Sequence, residues 1–394
     1  MSLKIGVPKE TASGETRVAV VPKVAAKLVK LGVDLHIQKG AGQASRIPDS
    51  AFGDNATIAS RQTDVFDADV VLAVNVPAPT KIAKMKRGAI LICFVQAHQN
   101  PEAVEALQKA GVTCFAMELI PRITRAQSMD ALSSQAAAAG YKCALIAADS
   151  LPRFLPMLTT AAGTIRPAKV LVIGAGVAGL QAIATANRLG AKVFAYDVRT
   201  DTKEQVESLG AEFLIAEGVK AEGEGGYARE LTDEEKQKQQ DMLADNMTDA
   251  DAVITTAAVP GKPAPKIISE AMVDGMKPGS VLVDLGASGG GNCELTEPDK
   301  TVTRNNVTII GPSNVPAMLA EHASEMYAQN LSNLLSLMLR ESEDQSTSAK
   351  GIKIHELAID WDDAVIDGAV LMRDGEAASD AARNALSNSD PNSS

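Results

Sequence analysis

Apolar runs separated by polar or glycine- and proline-bearing breaks recur along the first 120 residues. Residues 4–7 and 33–38 read as strands, and 69–76, 89–95 and 112–117 are nearly continuous in apolar character, the pattern of strands covered on both faces. Residues 22–31 and 101–110 each open on a proline and space their apolar positions as helices do, and Gly32 ends the first of them. A further helix ends near Met85. Residues 10–17 and 40–53 are polar, glycine-containing loops. Strand and helix in alternation predict a parallel α/β module.

The same order returns later in the chain. LGVDL (31–35) is echoed by LGAKV (189–193), ADVVL (68–72) by ADAVI (250–254), and MKRGAILI (85–92) by MKPGSVLV (276–283). The two ADxVx stretches each lead to a proline, Pro77 and Pro260. Two long helices, 127–149 and 315–340, sit at the edges of the second module. The expected fold is therefore α/β, with two Rossmann-like parallel-sheet lobes linked by two long helices and a cleft between them. The first lobe spans 1–126 and is completed by 316–375, and the second spans 127–315. Residues 341–350 read as a polar linker, 352–359 with 364–372 as a hairpin, and 376–394 as a disordered tail, from their Asp, Asn and Ser content.

Composition narrows the function classes. At 394 residues the chain exceeds one typical core, so two lobes suit its length. Net charge is −11, from 38 basic and 49 acidic residues with no basic block, which argues against nucleic acid and anionic membrane surfaces as direct partners. Cys93, Cys114, Cys143 and Cys293 are scattered with no C-x-x-C pair, which fits a reducing compartment and no zinc site. The charged opening, MSLKIGVPKE, does not read as a signal peptide, and no apolar stretch reads as a membrane span.

The chemistry concentrates at residues 169–200. Residues 169–173 form a short strand, Gly174, Gly176 and Gly179 a G-x-G-x-x-G turn, 180–188 an Ala-rich helix closed by Gly190, and 192–196 a second strand ending at Asp197. A glycine triplet alone often marks only a tight turn. Here it lies between strand and helix, with an acid about 20 residues on, and so predicts dinucleotide binding. Helix N–H groups and dipole would face the pyrophosphate. Asp197 would accept from the adenosine ribose and repel a 2′-phosphate, favouring NAD(H) over NADP(H). Arg199 argues the other way, but its place two residues past the acid reads as solvated or near the adenine.

Two further stretches stand out. In PRITRAQSMDALSSQ (121–135), Arg122, Arg125, Gln127, Asp130 and Ser133 crowd a loop running into a helix. They read either as a nicotinamide-holding cluster or as a helix cap with an Arg–Asp pair. Residues 217–247 lengthen the second lobe. There Gly223, Gly225 and Gly226 precede Tyr227, which reads equally as a mobile lid or as a solvated surface insertion.

Here the sequence resembles the proton-translocating NAD(P) transhydrogenase α subunit, in its NAD(H)-binding domain I. The resemblance runs through RITRAQSMDALSSQ (122–135), TAAGT (160–164), VIGAGVAGLQAI (172–183), DVR (197–199), TKEQVESLG (202–210), GGYA (225–228), PGKPAP (260–265) and GGNC (290–293), and reaches about residue 375. It implies that NAD(H) lies in the cleft on the second lobe. It places Arg122, Gln127, Asp130 and Ser133 at the nicotinamide end, with Ile123, Thr124, Ser128 and Met129 also among the cofactor-binding residues. Ala175, Gly176 and Val177 fall at the pyrophosphate, and Asp197, Val198 and Arg199 at the adenosine ribose. Gly226 and Tyr227 fall in a mobile loop near 217–230, and Gln239 and Ala258 at less distinctive cofactor-lining positions.

The activity so implied is Re/Si-specific hydride exchange between NAD(H) and NADP(H), with Gln127 orienting the nicotinamides and Arg122 and Asp130 fixing the loop. NADP(H) would sit on a partner β subunit and proton conduction in membrane-spanning subunits. The component would be a homodimer, cytoplasmic and held peripherally at the inner face of the membrane through those partners. Alanine dehydrogenase, a relative in fold and in the opening KIGVPKE (4–10), is the rival. It needs an Arg, a Lys and a His in the first lobe. Arg17 and His98 fall near two of these positions, but the Lys position is Asn75.

Overall fold

The computed structural model describes residues 2–216, 218–219, 231–257, 263–342 and 353–388. Contacts divide the chain into two compact units, Met1–Gln135 with Leu319–Ser394, and Ala136–Met318. The longest helices described are α1 (Ala131–Ser150), α2 (Val177–Arg188), α3 (Asp233–Asp249) and α4 (Ala320–Leu337). The chain leaves the first unit inside α1 and returns to it at the head of α4, against the 126/127 and 315/316 expected from sequence.

The first unit contains β1 (Lys4–Val7), β2 (Asp34–Gln38), β3 (Thr57–Ala59), β4 (Val70–Asn75), β5 (Ile90–Phe94) and β6 (Thr113–Ala116), all parallel, in the order β3-β2-β1-β4-β5-β6. Alternate residues of β4 serve two cores. Val70, Leu72 and Val74 pack with Tyr327, Leu331 and Leu334 of α4, while Val71 and Ala73 pack with Phe66, Val104 and Leu107. Burial on both faces is why β4, β5 and β6 are continuously apolar, while β2, nearer the sheet edge, alternates.

The second unit contains β7 (Lys169–Ile173), β8 (Lys192–Tyr196), β9 (Glu212–Phe213), β10 (Ala252–Thr255), β11 (Val281–Asp284), β12 (Thr301–Arg304) and β13 (Val307–Ile310). Its parallel strands run β9-β8-β7-β10-β11-β13, and β12 adds antiparallel at the edge. Val170 and Val172 of β7 face a core with Cys143 and Ala147 of α1 and Ala182 and Ile183 of α2; Leu171 and Ile173 face one with Leu243 and Met247 of α3. An added Cβ at Gly140 of α1 would lie 2.0 Å from the Ala178 carbonyl of α2, so that glycine permits the two helices to touch.

Both sheets thus have the doubly wound 3-2-1-4-5-6 order, and the two Rossmann-like lobes read from the sequence repeat are present. The winding reverses between β1 and β4 in one sheet and between β7 and β10 in the other. In this architecture ligands bind outside the carboxyl ends of the strands at that switch point.

Four local expectations change. Residues 127–149 are not one helix: Thr124–Met129 is a 3-10 turn, and α1 starts at Ala131, after Asp130 leaves helical geometry at ψ 88°. The second long helix likewise begins with a 3-10 turn, Pro316–Leu319, before α4. The hairpin of 352–359 with 364–372 does not form. His355–Leu357 pairs with Leu339–Glu341, Ala364–Ala369 is helical, and Val370–Arg373 adds antiparallel to β6. The Asp363 carboxylate caps that helix at the N–H groups of Val365 (2.8 Å) and Ile366 (3.4 Å), which competes with extended backbone. The tail is folded as far as Asn388: Glu376–Ala377 closes the sheet edge, and helix Asp380–Asn388 buries Ala382 and Ala385 against Leu371 and Met372. A two-alanine stripe in a polar composition suffices, because the core it meets is already built.

Candidate functional site

The glycine turn lies at the carboxyl end of β7, beside the switch point, and each glycine has a distinct reason to be there. Gly174 holds φ +98°, and a Cβ there would meet the Thr256 hydroxyl at 2.7 Å. Gly179 lies under the turn, where a Cβ would come 1.8 Å from the Gly174 carbonyl. Gly176 differs: a Cβ would meet nothing within 4 Å. Its lack of a side chain serves no internal packing and leaves the backbone open to an approaching group. Gly176 is the N-cap of α2, which has neither a side-chain cap nor an acid in its first turn, and Val177 is exposed. The positive helix end is therefore uncompensated from within, which suits a phosphate.

Asp197, at the end of β8, is nearly buried at 7% exposure. Its carboxylate is fully engaged. Oδ2 accepts from the Ala175 N–H (2.7 Å) and Arg199 Nη2 (2.8 Å), and Oδ1 from the Arg199 N–H (2.9 Å) and Nε (2.9 Å). The Ala175 bond ties the acid to the turn 22 residues earlier and engages that N–H. Arg199, expected in solvent or near the adenine, is an ion-pair partner with a side chain 19% exposed. Val198, between them, is half-buried. Gln239 of α3 is buried and donates to the Tyr196 hydroxyl (3.3 Å). Burial pushes the Tyr196 phenol up to about 12.

Next to the turn, the Thr256 hydroxyl donates to the Gly174 carbonyl (3.1 Å), linking the ends of β10 and β7. A second acid, not singled out by sequence, organises the neighbouring loop. Asp284, fully buried at the end of β11, accepts from Thr255 Oγ1 (2.8 Å), the Gly286 N–H (2.9 Å), the Cys293 N–H (3.0 Å) and Thr296 Oγ1 (2.7 Å). Asn292 Nδ2 then donates to the carbonyls of Ala257 (2.7 Å) and Pro265 (3.0 Å). The available signal was an acid ending an apolar strand just before a glycine-rich run, which reads like any strand end until its donors are seen. Gly226, Tyr227 and Ala258 lie outside the described residues.

The remaining predicted residues lie in the first unit. Asp130 acts as the cap of α1: its carboxylate accepts from the Ser133 N–H (2.9 Å) and hydroxyl (2.6 Å). The Ser128 carbonyl accepts from Nδ2 of Asn330 and of Asn333, both at 2.9 Å, which pins the 3-10 turn to α4. Ala126 and Met129 are buried anchors, while Arg122, Ile123, Thr124, Gln127 and Ser128 are exposed. Gln127 is thus presented at the surface of a turn fixed from both sides. Arg125 pairs with Asp363 (2.6 and 2.8 Å), which it holds down at about 2. Asp130 thus caps α1, while Arg125 pairs with Asp363 rather than with Asp130. Among the described residues the structure gathers the predicted ones into two groups, the 122–133 turn in one unit and the 174–199 turn with Gln239 in the other.

The first unit also has a polar cluster at its switch point. Glu15 accepts from Arg17 Nε (2.8 Å) and Nη2 (2.6 Å) and from Asn75 Nδ2 (2.9 Å), and Arg17 Nη1 donates to Gln135 (2.9 Å). Burial alone would raise the Glu15 carboxyl, but the bonds and charge of Arg17 outweigh it and hold it at about 2. The Arg17 guanidinium is thus matched by an internal carboxylate, and His98 is exposed.

Known proteins resemble this chain over nearly its whole length. The family model described as alanine dehydrogenase/PNT, N-terminal domain, matches residues 6–139, and its C-terminal counterpart matches residues 143–379. The first of the polypeptides that make up the NAD(P) transhydrogenase subunit alpha of Rhodospirillum rubrum is 47% identical over 383 residues, covering 95% of this chain and 97% of that protein. The solved transhydrogenase of Sinorhizobium meliloti is 42% identical with a TM-score of 0.82, covering 95% and 99%. Alanine dehydrogenase of Mycobacterium tuberculosis is more distant, 33% identical over 75% of this chain and 76% of that enzyme. With its doubly wound sheets and glycine turn, the chain belongs to the alanine dehydrogenase/PNT family and, within it, to the NAD(P) transhydrogenase α subunits.

Proposed function

We propose that this chain is the NAD(H)-binding component of a proton-translocating, Re/Si-specific NAD(P) transhydrogenase. The observation that carries the reading is the second unit's turn: Gly176 is open to an approaching backbone-sized group, and Asp197 is locked to the turn by the Ala175 N–H. Gly176, Val177 and the start of α2 would hold the pyrophosphate, and Asp197 the adenosine ribose. NAD(H), when bound, supplies or accepts a hydride at its nicotinamide, the other nicotinamide being that of NADP(H) on a partner subunit. No general acid or base is required of the protein, whose part is to position the groups and exclude water. Gln127, exposed on a turn fixed by Asp130 and by Asn330 and Asn333, is suited to orienting the ring. Arg122 contributes near the carboxamide.

The same reading makes the component a homodimer held peripherally at the inner face of a membrane by spanning subunits that conduct protons. Among the described residues no helix is long and apolar enough to cross a membrane. Phe154, Met157 and Ile165, on and beside the hairpin of Leu158–Thr160 and Gly163–Ile165, are 44–65% exposed, an apolar surface that suits coverage by a second copy. Alanine dehydrogenase chemistry is disfavoured by the Glu15–Arg17–Asn75 cluster, which leaves neither an unmatched guanidinium for a substrate carboxylate nor an amine.

The test is reconstitution with an NADP(H)-binding transhydrogenase subunit. Hydride transfer should appear, and NADH oxidation with pyruvate and ammonia should not. Gln127→Asn should slow transfer by about 10-fold or more, as misplacement at a reacting centre does, while changing NADH affinity little. Equal loss of both would remove Gln127 from the orienting role.

A further inference from the structure

Asp197 is placed to hold a ribose, yet none of its lone pairs is idle. A carboxylate offers about four acceptor positions, and here four N–H groups fill them. Two come from backbone, at Ala175 and Arg199, and are fixed by the turn and by the end of β8. The other two, Nε and Nη2 of Arg199, come from one side chain that already reaches solvent. They sit one on each oxygen, Nε on Oδ1 and Nη2 on Oδ2. A vicinal diol donates to a carboxylate in the same way, one hydroxyl to each oxygen.

We propose that Arg199 is a specificity-determining residue of the nucleotide site that acts against the preference set by Asp197: its guanidinium holds the two acceptor positions that the adenosine ribose diol takes, and it yields them when nucleotide binds. The proposal rests on the NAD(H) reading above and deepens it. NADH affinity is lowered by the ion pair that must be broken. Once displaced, the guanidinium remains tethered two residues past the acid, where it offsets the repulsion between Asp197 and a 2′-phosphate and so weakens the discrimination that the acid alone would give. Arg199 is therefore a competitor for NADH and a partner for NADPH.

The experiment is a fluorescence titration of the purified full chain with NADH and with NADPH, for the wild type, Arg199→Ala and Arg199→Met. The methionine variant keeps an unbranched apolar stem, so one variant at least should retain the fold as checked by circular dichroism. Removing the guanidinium should tighten NADH by about 5-fold and weaken NADPH by about the same, the scale of a single partly exposed ion pair. Opposite movement of the two affinities is a signature that mere loosening of the loop would not produce. If NADH weakens or stays unchanged in the folded variants, Arg199 is not a competitor and the proposal is overturned. If the wild type binds NADH and only the variants disagree, the site reading survives without Arg199; if the wild type binds neither nucleotide, the site reading itself fails.

Discussion

At the scale of residues, the three glycines of one short turn do three different jobs, and two of them can be separated by experiment. At Gly179 a methyl group would lie 1.8 Å from the Gly174 carbonyl, so Gly179→Ala must push α2 off β7. Its cost should be at least about 1–3 kcal/mol of stability, as in other overpacked contacts, seen as a lowered thermal midpoint. At Gly176 the same methyl meets nothing. Gly176→Ala should fold with a midpoint near wild type and lose nucleotide affinity, because the methyl occupies the approach to the backbone. Equal destabilisation by both would mean that Gly176 is only a structural glycine. The same scale shows what sequence could not supply. Asp197 was legible as an acid at the right spacing, but its saturation by Arg199 depends on side-chain geometry that spacing does not encode. Asp130 was legible both as a site residue and as a cap, and its bonds to Ser133 show the capping that spacing alone left open.

At the scale of elements, the central strands were the most legible feature, because burial on both faces demands unbroken apolar runs. Helix starts and the C-terminal segment were least legible, because they depend on partners distant in sequence. Asp363 meets Arg125 across 238 positions, and Val370–Arg373 is a strand only because β6 presents an edge. The ends of β1 and β4 are joined in the same long-range way. Glu10, following β1, accepts from the Val74 N–H of β4 (2.7 Å), and burial pushes its carboxyl up from 4.5 to about 7. The direction of the pH effect follows. Below about 4.5 both folded and unfolded chains hold this proton and there is no penalty. Between 4.5 and about 7 the unfolded chain releases it while the folded one retains it, so Glu10 costs stability progressively as pH rises, and the cost is complete above about 7. Glu10→Gln should therefore melt higher than wild type at pH 8 by the equivalent of about 1–3 kcal/mol, since each pH unit between the two ionisations is worth about 1.4 kcal/mol. The two proteins should converge near pH 5. Parallel melting profiles across that range would show that Glu10 ionises freely.

At the scale of the whole molecule, two doubly wound sheets carry unequal sites. The second unit opens a bare helix start and a locked acid at its switch point, while the first fills its own with Glu15, Arg17 and Asn75. The duplication was visible in sequence as matched segments, and so was the asymmetry, since only one copy has the glycine triplet. The internal ion pair that fills the first switch point was not visible, because Arg17 stood out only as a match to the alanine dehydrogenase Arg and Glu15 read as ordinary loop polarity. Everything proposed for the chain depends on the second unit taking NAD(H), and titrating the purified chain with NADH and NADPH by their fluorescence tests this most directly. Saturable NADH binding and weaker NADPH binding are expected, with Asp197 setting the preference. NADPH binding equal to or tighter than NADH binding would contradict it and would assign this chain to the other side of the hydride exchange.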